Sequence, residues 1–123
     1  MADRPTYGNG KICYIEVPAS DIAASAVFFQ SVFNWRVRAD NAGNTSFDDG
    51  VGEVSGMWVS GRKPMAEAGF IISIMVDNAE ATIELIKVNG GGIVKPIIKG
   101  EPEITAHFTD PAGNLWGIYQ HGG

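Results

Sequence analysis

Cysteine is almost missing from this chain. Cys13 is the only one in 123 residues, so no internal disulfide can close and no cysteine-based zinc site is spelled out. It lies in the apolar run ICYI, where a free thiol packs as a small hydrophobe; a catalytic thiol is the lesser alternative. Cations are also few: nine lysines and arginines against 14 acids leave a net charge of −5, with no basic cluster. Such a surface repels phosphate backbones, so nucleic acid is not an expected partner. No apolar run is long enough to span a membrane. The opening MADRPTYGNGK is polar, with no apolar stretch after its charges, which predicts no signal peptide and a cytoplasmic protein. The glycine runs 90–92 and 122–123 lack the lysine and following helix of a phosphate loop. What remains is ordinary globular material, 45% apolar and 19% charged, enough for one domain with its own core.

The patterning predicts an α+β fold. Residues 1–10, with Pro5, Gly8 and Gly10, form a lead-in. KICYIEV (11–17) alternates as a strand should, and Pro18 ends its hydrogen-bonding capacity. Ser20 and Asp21 offer N-caps to a helix over IAASAVFFQSVF, whose Ile22, Ala26, Phe29, Val32 and Phe33 make a buried stripe. Asn34 stops it in a left-handed conformation. WRVRA, NTSFD and EVSGMWV read as three strands parted by Asn, Asp and Gly turns. SGRKPMAEAG is the one linker-like stretch, placing a junction at 60–68. Beyond it come strand GFIISIMV, a helix over AEATIELIKVN capped by Asp77 or Asn78, and strands GIVKPII, ITAHFTD and LWGIYQ. That second helix has Ala79, Ile83, Leu85 and Ile86 on its apolar side and ends at Gly90–Gly92. The order is βαβββ twice, over 11–59 and 69–123. Asp21 precedes Asn34 by 13 residues and Asp77 precedes Gly90 by 13, which supports an internal duplication.

DIAASAVFFQSVFNW resembles the first helix of the vicinal oxygen chelate superfamily, the glyoxalase, bleomycin-resistance and dioxygenase proteins. FTDPAGNLWG (108–117) resembles the closing "DPxGN" hairpin of that superfamily, and DPAGNLWGIYQ resembles the ending of its glyoxalase-related branch. The resemblance runs from Lys11 to Gln120. It implies two βαβββ units curled into a mixed-sheet cup, in which many members hold a divalent metal with three His or Glu ligands. Carried over by position, those ligands fall on Tyr14, near Phe70, and on Gly117. Two of the three have no donor, and one phenol cannot hold a labile divalent ion. The expectation is therefore no metal at the usual site and no cofactor. A site built from Glu16 and His107 is a less favoured alternative.

Strand alternation puts Tyr14 and Glu16 on one face. Thr105 and His107 match positions that line the pocket in related fosfomycin-resistance proteins, and Gly117 and Tyr119 share the inward face of the last strand. Trp58 either lines the cup or packs under it. Tyr14, Trp58, Phe70 and Tyr119 would give an aromatic lining suited to planar or apolar ligands; the plainer reading is sheet-face core. Trp35 and Trp116 read as core or interface. Gly56 and Gly117 either leave room for a ligand or mark bulges. Glu16 and His107 would form an acid–base pair, although a structural or ligand-orienting pair is favoured. His121 reads as a frayed terminal residue. Three functions follow: a metal-free binding protein for a small organic molecule; a metal-independent lyase or isomerase using Glu16 and His107; and a metal-dependent glyoxalase-type lyase. A homodimer is expected, since half-cups pair across chains in many relatives, and Glu16 and His107 then meet within a chain or between two.

Overall fold

The computed structural model describes residues 5–67, 69–98 and 103–121. The elements run β1 Tyr14–Pro18, α1 Ile22–Phe33, β2 Arg36–Ala39, β3 Thr45–Asp48, β4 Ser55–Val59, β5 Ser73–Met75, α2 Ala79–Val88, β6 Gly92–Lys95, β7 Glu103–Thr109 and β8 Leu115–His121. They form two four-stranded sheets, ordered β1-β4-β3-β2 and β5-β8-β7-β6. In each, the first strand pairs parallel with the last and the other pairs are antiparallel. The expected doubling is thus present in topology as well as in element order. The sheets do not close into a barrel. Among the described residues no helix is long and apolar enough to cross a membrane.

Local chemistry sets the helix ends. The Asp21 carboxylate accepts the Ala24 N–H at 3.1 Å, and Asn34 adopts φ 59°, donating its N–H to the Gln30 carbonyl. In α2 the cap is Asn78, not Asp77: its side chain accepts the Ala81 N–H at 3.0 Å. Gly90 at φ +98° lets Gly91 donate to the Ile86 carbonyl at 2.8 Å, closing the helix with a left-handed turn. The buried face of α2 also departs from expectation. Leu85 is exposed and Thr82 is buried in its stead. The Thr82 hydroxyl donates to the Asn78 carbonyl at 2.8 Å, so its burial leaves no polar atom stranded.

Several strands are shorter than their sequence patterns. The ladder of β1 begins at Tyr14 because the chain before it turns, with Lys11 donating its N–H to the Gly8 carbonyl and its ammonium to Thr6 and Glu53. The run GFIISIMV is a strand only over Ser73–Met75. β6 stops at Lys95 because Pro96 has no N–H to continue the ladder.

Helix α1 serves both sheets. Phe28 and Phe29 are fully buried. The Phe29 ring lies 4.5 Å from Trp35 and 6.0 Å from Trp58 in the first unit, and 5.2 Å from Trp116 in the second. Phe28 reaches Phe108 at 6.0 Å. One core therefore runs through both units. Trp35 and Trp116 belong to it, as their patterning implied.

Candidate functional site

With the helices covering one face of each sheet, the opposite faces are open. On β1, Tyr14 and Glu16 lie on this face, beside Ser55 and Met57 of β4. On the second sheet, register places Thr105 beside Tyr119 and His107 beside Gly117. Across β5, Met75 and Ser73 continue those two rows. Tyr14 is exposed, and Phe70, just before β5, is 72% exposed, as is Met75 at 74%. Among the described residues nothing packs over the large side chains on this surface.

Trp58 does not join this group. It pairs with Val17, points to the helix side and is 2% exposed. Its ring lies 4.7 Å from Phe47, and its buried Nε1 has no hydrogen-bond partner. Glu16 and His107 are not brought together: they lie on different sheets, and neither a hydrogen bond nor an ion pair joins them. Instead Glu16 accepts an ion pair from Arg62 of the linker at 2.7 Å. Tyr119 donates its hydroxyl to Glu103 at 3.1 Å. Desolvation, and then the neighbouring carboxylate, push this phenol above its ordinary pKa. The backbone of His121 is in β8, opposite Glu103.

On the first sheet's open face, Arg38 makes a two-pronged pair with Asp48 at 2.9 and 3.1 Å, and Ser55 adds a hydroxyl at 2.7 Å. The Arg38 hydrogen bond, opposed by partial burial and helped by Ser55, holds the Asp48 carboxyl below its ordinary pKa. A lowered folded pKa contributes stability that is present above the unfolded value and is lost as pH falls through the folded one. Arg38→Met should therefore cost about 0.2–1 kcal/mol at neutral pH. Its deficit should begin to shrink as pH falls below about 4, the ordinary carboxylate range, and should vanish only once Asp48 is protonated in the folded wild-type protein as well. Urea titrations at several pH values check this; a deficit that is flat with pH would discard it.

The DPAGN segment is a clasp. Asp110 is 3% exposed. One of its oxygens accepts the N–H groups of Ala112 and Asn114, both at 3.0 Å. The other accepts Asn114 Nδ2 and Trp116 Nε1, also at 3.0 Å. Asn114 Nδ2 also reaches the Pro18 carbonyl at 2.8 Å, and Asn114 Oδ1 accepts the Met65 N–H at 2.8 Å. One buried amide thus ties the last hairpin to the first unit and to the linker. Gln120 accepts the Ala79 N–H at 2.6 Å and so helps cap α2. The turn has a twin, Asp40–Asn44, in which Asp40 accepts the N–H groups of Ala42 and Asn44 and the Asn44 amide, all at 2.9 Å.

A cleft of about 760 Å³ lies elsewhere, between the C-terminal end of α1, the β3–β4 loop, β5 and α2. Ile15, Phe33, Ile74, Leu85 and Trp116 line it, and so do Ser73 and Met75 of β5, whereas Tyr14, Glu16, Trp58, Phe70, Thr105, His107, Gly117 and Tyr119 do not.

Residues 11–118 match the family model of the Glyoxalase/Bleomycin resistance protein/Dioxygenase superfamily. The chain belongs to this superfamily. It is 29% identical to a glyoxylase-like domain-containing protein of Didymella fabae, over 89% of this chain and 93% of that one. Its fold is similar to that of the fosfomycin resistance protein FosX from Mesorhizobium loti (TM-score 0.72, 15% identity, 93% of each chain covered). It is also similar to a glyoxalase/bleomycin resistance protein/dioxygenase family enzyme from Burkholderia phytofirmans (TM-score 0.69, 18% identity, 87% and 95% covered). At these identities the two structures speak for the fold alone.

The positions on which the resemblance places metal ligands offer few donors. Tyr14 offers one exposed phenol, Phe70 nothing, and Gly117 nothing. A Cβ at Gly117 would stand 2.6 Å from Ser73 Oγ, so a longer ligand side chain would first have to displace Ser73. Among the described residues no group of three or more His, Cys, Asp or Glu side chains converges. Sequence reasoning missed Arg62, which is in the linker and whose pairing with Glu16 no local pattern signals. It also missed Lys95, which a register shift in β6 places beside His107.

Proposed function

We propose that this superfamily member binds a small organic molecule on the open sheet faces, without the usual metal, and that a second copy of the chain completes the cup. The observation that carries this reading is the uncovered surface itself. On the second sheet Met75 stands exposed in the row of Thr105 and Tyr119, next to that of His107, with exposed Phe70 just before β5; on the first sheet Tyr14 stands exposed. This is the mix of apolar area and few polar anchors that ligand sites use. The placement of Glu16 and His107 on separate sheets supports pairing between chains, because among the described residues neither open face has a facing surface. A metal-independent lyase or isomerase is the second reading, with Glu16 and His107 as acid and base across the dimer. The Arg62 ion pair favours an orienting role for Glu16 instead. The metal-dependent glyoxalase-type reading is the least favoured, given the donors at Tyr14, Phe70 and Gly117.

The test is a thermal-shift and calorimetric screen of planar aromatic and apolar compounds, on native protein and on Tyr14→Ala. Micromolar binding by one class, weakened at least about tenfold by the substitution, is the expected result. The reading fails if no class stabilises the native protein. Stoichiometric nickel, zinc or manganese in protein purified without added metal would replace it with the metal-dependent reading.

A further inference from the structure

The duplication closes one seam between the units and leaves the matching seam open. By topology the β3–β4 turn stands to β5 as the β7–β8 turn, DPAGN, stands to β1. The two turns share a backbone plan. Asp110 and Asp49 each accept the N–H four residues on, from Asn114 at 3.0 Å and from Glu53 at 2.8 Å. Gly113 and Gly52, both at positive φ, donate to the carbonyls of those aspartates at 2.9 and 3.0 Å. The side chains then diverge. Asn114 and Trp116 occupy the second oxygen of Asp110, and Asn114 also reaches across to the Pro18 carbonyl. The first unit has Glu53 where the second has Asn114, and Glu53 turns away to Lys11 and Thr6. Among the described residues no donor reaches the second oxygen of Asp49.

The open seam is the cleft of about 760 Å³. Small-molecule sites run from about 300 to 1,000 Å³. Phe33, Trp35 and Trp116 give it aromatic walls. Val51 and Leu85 also line it and are 77% and 43% exposed, so apolar surface is left uncovered among the described residues. Asp49 and Asp77 are its charged groups, and no lysine, arginine or histidine lines it. Asp77 makes no hydrogen bond or ion pair among the described residues. The N-terminus of α2 borders the cleft too, but Gln120 and the Asn78 side chain already accept the Ala79 and Ala81 N–H groups, which leaves that end few donors for an anion. Carboxylates without a counter-charge and aromatic faces both attract cations.

We propose that this cleft is a second ligand site, separate from the open sheet faces, and that it takes an organic ammonium ion with an aromatic body. The ammonium group lies against Asp49 and Asp77, in the role that the Asn114 amide plays toward Asp110 at the closed seam. The aromatic body fills the apolar floor between α1, β5 and α2. Binding here is independent of any ligand on the sheet faces.

Tryptamine, tryptophol and indoleacetate share one ring system and differ in charge. Calorimetric titration at low salt should give tryptamine an affinity at least about tenfold above tryptophol, with indoleacetate weakest. Added salt should shrink the preference. Asp49→Asn combined with Asp77→Asn should bring tryptamine within about twofold of tryptophol; the new amide can still accept the Glu53 N–H, so the turn is kept. Leu85→Lys, at an exposed position on α2, puts a cation into the cleft and should weaken tryptamine about tenfold or more, which carries the test even if the double variant does not fold. Tyr14→Ala should leave tryptamine binding within about twofold. The site falls if tryptophol binds as tightly as tryptamine, if the double variant keeps the preference, or if tryptamine binds no tighter than about 1 mM. It also falls if Tyr14→Ala weakens tryptamine and Leu85→Lys does not, which would put the amine on the sheet faces. If Leu85→Lys without ligand lowers the oligomeric state in sedimentation, a second copy of the chain covers the cleft and the proposal is overturned.

Discussion

Asn114→Asp should destabilise the protein by about 3–5 kcal/mol, although it exchanges one nitrogen for one oxygen. Asn114 is 2% exposed. Its Nδ2 donates both to the Pro18 carbonyl and to the Asp110 carboxylate. The substitution turns that donor into an acceptor, so a carboxylate would face a carbonyl and a second carboxylate in a site with little water to screen them. Urea unfolding at neutral pH measures the loss. For a chain of this length, melting should fall by roughly 10–20 °C. The deficit should shrink in acid, because protonating the new side chain restores a donor and removes its charge. Asn114→Ala should cost less, about 2–3 kcal/mol, since it leaves the Met65 N–H and the Pro18 carbonyl unpaired but adds no charge. A loss below about 1 kcal/mol for Asn114→Asp would mean that the clasp does not hold the units together.

This result would also explain why DPAGN was so legible. It is a turn whose residues are dictated by geometry: Gly113 at φ +92° and an aspartate that gathers four donors. Asp21 and Asn34 were readable for the same reason, since each satisfies backbone groups of its own helix. What was not legible depends on neighbours far away in sequence. Thr82 displaces Leu85 from the core because a hydroxyl bond within the helix makes its burial cheap, which no hydrophobic periodicity records. Trp58 sits in an alternating strand with nothing local to say which face is covered; α1 decides it, by laying Phe29 over the first sheet. The partner of Glu16 is 46 positions away in the linker, and the bulge that turns Lys95 toward His107 has no mark in GIVK. Fold-making residues announce themselves locally, while site residues are defined by what crosses between elements.

Gly56→Ala should be comparably severe, with a loss of at least about 3 kcal/mol and little folded protein at 37 °C. A Cβ there would overlap the Ile15 carbonyl oxygen and the Phe47 ring. The register explains both clashes: Gly56 is flanked by Ile15 on the parallel strand and by Phe47 on the antiparallel one. The Phe47 ring, fully buried, leans across the space a side chain would occupy and packs on Trp35 and Trp58, each 4.7 Å away. The absent side chain therefore makes room for core packing and leaves no ligand space, because Gly56 faces the helices along with Trp58. Phe47→Leu in the same chain should recover only part of the loss, since the Ile15 carbonyl stays in place and the ring's own packing is forfeited. Gly8→Ala, with no atom near its Cβ position and no positive φ, should stay within about 0.5 kcal/mol and serves as the control. Ligand binding by whatever Gly56→Ala protein remains folded should be unchanged in affinity and reduced only in the number of sites. A weakened affinity instead would place Gly56 at the ligand.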